Sequence, residues 1–185
     1  MFALILTLVA CGGRPDLLVE RVPPDVEVAG LNLRASLMLA DDPERAAPSV
    51  LAFTQASARW HADLHSRDAT LAHALLERRI AALADLPLPP EPTEACAGLP
   101  TASARAREHV LLSAAPALQA ARDCADLPTP PPDGCAGALA KAQGAFLGQL
   151  GLWLRFLPSA ETEAVVSGPW FDGWTGLPAP SGARQ

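Results

Sequence analysis

Three side chains could do chemistry together. His61, His65 and Asp68 are spaced by four and three residues, which sets them on one face of a helix at the edge of an apolar stripe. Two imidazoles one turn apart can grip Zn²⁺ or Cu²⁺, with a carboxylate as third ligand and His109 or Glu108 as a fourth. No Glu follows His61, so the helical metalloprotease pattern His-Glu-x-x-His is absent. The plainer alternative is a solvated helix flank with one Asp68–His65 contact. A second cluster, Trp170-Phe171-Asp172-Gly173-Trp174, is the densest aromatic stretch of the chain. Trp170, Phe171 and Trp174 suit either a platform for a glycan or peptide, or a latch that buries its rings on the body of the protein. The pair Arg78-Arg79 reads as a solvated helix face. No phosphate loop, Gly-x-Ser-x-Gly elbow, haem-attachment motif or EF-hand loop is present. The chain is accordingly read as non-enzymatic.

Residues 2–10 are apolar except for Thr7, a run too short for the roughly 20 residues that cross a bilayer. Its length suits the apolar core of a secretory signal. It ends in Leu8-Val9-Ala10-Cys11, which resembles the bacterial lipobox, although no Lys or Arg precedes the run. The resemblance implies cleavage after Ala10, lipidation of Cys11 and stable anchoring to a membrane by several acyl chains. It covers the leader alone and implies nothing about the fold.

An exported domain sits in an oxidising compartment, where a disulfide is the default state of paired cysteines. Besides Cys11 the chain has Cys96, Cys124 and Cys135. Cys124 and Cys135 flank a loop that joins two expected helices at one end. Closing it stabilises the fold by on the order of 3 kcal/mol. Cys96 is expected one helix length away, about 35 Å, and is left free or paired between chains. Pairing of Cys96 with either of the others would require different helix boundaries.

The 185 residues are 50% hydrophobic but only 5% aromatic, with alanine supplying much of the difference. Small side chains favour helix and closely spaced helix packing. Of fourteen basic residues only Lys141 is lysine, and tyrosine is absent. A net charge of −6 argues against nucleic acid as a partner and against a polybasic membrane-binding surface.

These features predict an all-α fold, an antiparallel bundle of about four helices with one of them long. The expected order is a signal peptide over 1–10, a lipidated flexible tether over 11–25, the bundle over 26–157 and an irregular aromatic tail over 158–185. Residues 26–40 fit both an amphipathic strand and a helical face; lacking a second strand to pair with, they are assigned to helix. Asp42 and Pro43 start the next helix. The long helix spans about 49–86, with Phe53, Ser57, Trp60, Leu64, Leu71 and Leu75 as its stripe, widened from Leu76 onward by Ile80 and Leu83 so that this end touches more than one neighbour. Further helices are expected over 102–126 and 135–157, the latter with Leu139, Phe146, Leu150, Trp153 and Leu157 inward. Gly144, Gly148 and Gly151 mark a face for close helix approach.

The function expected from sequence is a non-enzymatic, membrane-anchored lipoprotein of the bacterial cell envelope. Its body lies outside the cytoplasm, binds an unidentified envelope protein and needs no cofactor. The alternative is a periplasmic metal-binding or metal-sensing bundle in which His61, His65 and Asp68 hold Zn or Cu.

Overall fold

A computed structural model describes residues 21–39, 43–88, 102–127, 133–157 and 159–175. The leader, Cys11, Cys96 and residues 176–185 lie outside this range. Among the described residues there are seven helices and no strand: α1 Pro24–Leu39, α2 Pro43–Arg67, α3 Ala69–Ala84, α4 Ala102–Ala125, α5 Asp133–Arg155, α6 Ser159–Val166 and α7 Pro169–Thr175. The fold is an all-α bundle. α4 packs on α3 and α5, and α2 packs on α1, α3 and α5. The tail helices α6 and α7 rest on α1, and α7 also touches α3.

Helix starts follow simple local chemistry. α1 and α2 each open with a proline, whose missing N–H costs nothing in the first turn, followed by acidic residues facing the helix dipole. Pro48 lies inside α2 and Pro116 inside α4 without ending either helix. Small residues make the α4 seam: Ala114, Ala117 and Ala121 are all fully covered.

The expected long helix over 49–86 is instead two helices. Asp68 leaves the helical conformation (φ −152°, ψ 90°), and its side chain accepts a hydrogen bond from Leu71 N, capping α3. A continuous helix would hold residues 61 and 79 about 27 Å apart. They are hydrogen-bonded, so α3 folds back along α2. The break resets the helical phase. Leu76, Ile80 and Leu83 point inward as expected and are joined by Ala72, while Leu71 and Leu75, also expected inward, are only half-buried.

The tail differs from expectation too. Residues 159–175 are largely helical, and Trp170, Phe171 and Trp174 are at most 1% exposed. Phe171 stacks on Phe53, Trp174 meets Phe53 and Phe146, and Trp170 meets Trp153. Each ring of this kind buries about 150–250 Å², worth about 4–6 kcal/mol before entropy is counted. That is enough to order a segment whose own helices are too short to persist alone.

The glycine face of α5 is only partly a contact. Gly144 and Gly148 face open space. Gly151 alone meets a neighbour, where an added Cβ would come within 3.2 Å of Val50 and 3.4 Å of Thr54 on α2.

Candidate functional site

The centre of the bundle holds a guanidinium. Arg79 lies three residues after Leu76 and four before Leu83, on the inward face of α3, and is 4% exposed. Its neighbour Arg78 faces solvent, so the expected solvated pair is split by helical phase. Arg79 Nε donates to the main-chain carbonyl of Gly173 at 3.0 Å, and Nη1 donates to His61 Nε2 at 2.8 Å. Its Cζ sits 4.1 Å from the Trp60 ring centre and 5.2 Å from that of Trp174. Among the described residues it has no ion-pair partner, so ring faces and a carbonyl dipole replace the missing anion. Burial draws its pKa down to about 9, which leaves it charged at neutral pH.

This arrangement fixes the state of His61. Arginine only donates, so Nε2 must accept and the proton of the neutral ring sits on Nδ1. Burial first, and then the Arg79 charge, hold the His61 pKa down to about 3. An imidazole so occupied and so weakly basic is unsuited to abstract a proton or to bind a cation. Ser57, one turn earlier, is buried, but its Oγ is not hydrogen-bonded to His61; Ser57 Oγ, His61 Nδ1 and Trp174 Nε1 have no partner among the described residues.

The other two residues of the expected metal group lie elsewhere. His65 is 2% exposed with Nε2 unpartnered, and burial lowers its pKa. Asp68 is exposed and engaged as the cap of α3. Glu108 and His109 are exposed on α4. Among the described residues no three His, Cys, Asp or Glu side chains come together to hold a metal ion. Of His61, His65 and Asp68, therefore, two enter the core and one ends up as a cap. His65 instead borders a cavity of about 150 Å³ with Ser66, Leu139 and Gln143, between the last turn of α2 and the first turns of α5.

The aromatic tail is a latch and not a platform, because its rings are inside. Two arginines hold it in the same way. Arg34 Nε donates to Val166 O at the end of α6, and Arg79 Nε donates to Gly173 O in the last turn of α7. Both place a cation where a helix C-terminus favours one. Arg34 also lies 5.1 Å from the Phe171 ring centre.

Cys124 and Cys135 form a disulfide, Cα–Cα 5.9 Å, joining the end of α4 to the start of α5 as their loop position predicts. At the opposite end of the same helix pair, Ser103, Ala106, His109, Leu152, Trp153 and Phe156 border an open groove of about 390 Å³. Trp153 donates to Ser103 Oγ beneath it at 3.0 Å. The sequence reading missed Arg79 and this groove. Arg79 was detectable, since it falls in register with Leu76 and Leu83. The groove was not, since it depends on how α4 and α5 pack against each other.

No family model, no curated protein and no solved structure matches the chain.

Proposed function

We propose that this chain is a lipid-anchored module of the bacterial cell envelope that binds another envelope component and carries out no reaction itself. The supporting observation is the Cys124–Cys135 disulfide, which suits an oxidising compartment and accompanies the lipobox-like Leu8-Val9-Ala10-Cys11. Among the described residues, the buried His61–Arg79 pair is engaged in holding α7 in place. The surface offered to a partner is the α4–α5 groove. There Leu152 and Phe156 expose 50% and 60% of their surface.

Mass spectrometry of the chain purified from a producing bacterium tests the anchor. The expected N-terminal peptide begins at Cys11 and carries diacylglycerol; an unmodified leader would refute it. Affinity capture from solubilised membranes tests the binding role by comparing the native chain with a Leu152→Glu/Phe156→Glu double variant. A specific envelope protein retained by the first and lost by the second is expected. Equal recovery by both would remove the groove from the proposal.

A further inference from the structure

α1 is apolar on two opposite faces. At 100° per residue, Val26, Ala29, Gly30, Leu33 and Leu37 fall within one arc of about 100°, and all are buried against the bundle. Val28, Leu31, Ala35, Met38 and Leu39 fall within a second arc of about 100°, centred opposite the first. These five are exposed: Val28 by 54%, Leu31 by 48%, Met38 by 53% and Leu39 by 80%, with Ala35 among them. Asp25, Asn32 and Ser36 line one border of this outer stripe, and Glu27 and Arg34 the other. A helix with one core face needs a single stripe. The second has to be explained by something outside the fold.

We infer that the outer stripe of α1 lies in the interface of the bilayer to which Cys11 is attached. The inference rests on the lipid-anchor proposal and adds an orientation to it. Twelve residues separate Cys11 from Pro24, so even fully extended they keep the start of α1 within about 45 Å of the acylated cysteine. α1 is thus the described helix nearest the anchor along the chain. An in-plane helix inserts its apolar side between headgroups and keeps polar residues at the rim, the arrangement seen here. The stripe contains no lysine or arginine, and the chain is acidic, so contact comes from apolar burial and not from attraction to anionic lipid. α1 packs on α2, α6 and α7, whereas the groove lies between α4 and α5. A molecule lying on α1 leaves that groove free for a partner.

The test uses the full chain with Cys96→Ser, so that a single added cysteine takes an environment-sensitive fluorophore. Leu31→Cys places the label on the outer stripe, and Ala74→Cys places it on an exposed position of α3. Protein from a producing bacterium is reconstituted into phosphatidylethanolamine–phosphatidylcholine vesicles with or without brominated acyl chains, and the N-terminal mass is recorded. The expected result is a blue-shifted emission at residue 31, quenched at least twofold by the brominated lipid, with residue 74 unaffected. An acylated protein whose label at 31 stays unquenched overturns the α1 contact and leaves the anchor standing. A chain without acyl groups overturns the anchor and the contact with it. A label that is shielded but unquenched, on protein of doubled mass in detergent, assigns the stripe to a second copy of the chain and overturns the bilayer.

Discussion

Arg79 shows how much one side chain can organise. It bonds to a carbonyl on α7 and an imidazole on α2, and it fills the space between two indoles. Lysine keeps the charge but lacks the planar fork, so Arg79→Lys is expected to cost about 2 kcal/mol. Arg78→Lys on the exposed side is expected to stay within about 0.5 kcal/mol; urea denaturation of both variants checks the contrast. His61 gives the fold a defined acid response. Its folded pKa of about 3 lies below the usual 6.5, so the unfolded chain binds the proton more tightly. Stability is therefore complete above pH 6.5 and declines as pH falls from there toward 3. Between pH 7 and 5 the loss is expected to be about 2 kcal/mol. His65, also lowered, acts in the same direction. Urea unfolding at the two pH values, with His61→Gln as the comparison, measures it; an equal loss in the variant would assign the effect to other groups. The four-residue spacing of His61 and His65 on one helical face is that of a metal-binding pair. What spacing could not convey was that Arg79, eighteen residues on, folds back to occupy the same nitrogen.

At the scale of elements, most helices could be read from periodicity and prolines. α1, α4 and α5 begin and end within about two residues of the expected places, because proline starts and apolar stripes are local signals. Two features escaped for non-local reasons. The turn at Asp68 interrupts a run with no glycine or proline; the driving force is the burial gained when α3 folds back on α2. The tail helices are too short to register as periodic and are held by burial, α7 through its rings and α6 through Val165 and Val166. The glycines of α5 provide a direct test of local geometry. Gly148 faces open space, so Gly148→Ala should stabilise by about 0.5–1 kcal/mol through helix propensity. Gly151→Val should destabilise by about 1–3 kcal/mol, because Val50 and Thr54 leave no room for a branched side chain. Thermal unfolding followed by circular dichroism separates the two signs.

For the whole molecule, the disulfide and the tail close the bundle at different places. Cys124–Cys135 ties the α4–α5 connection. Reduction, or Cys124→Ala with Cys135→Ala, is expected to lower stability by about 3 kcal/mol, because a loop of this length loses its restriction in the unfolded chain. Guanidinium titrations with and without reductant would show it. The tail supplies the aromatic bulk that an alanine-rich bundle lacks. Phe53, Phe146 and Trp153 come from α2 and α5, but Trp170, Phe171 and Trp174 fill the space between them.

The same placement gives the protein its own optical reporter. It has four tryptophans and no tyrosine, so its ultraviolet fluorescence comes from indole alone. All four indoles are at most 4% exposed, and two of them sit on α7. Folded protein should emit at short wavelength. Any peeling away of the C-terminal helices would shift the emission to the red before α4 unwinds, so colour and ellipticity part company if the tail leaves first.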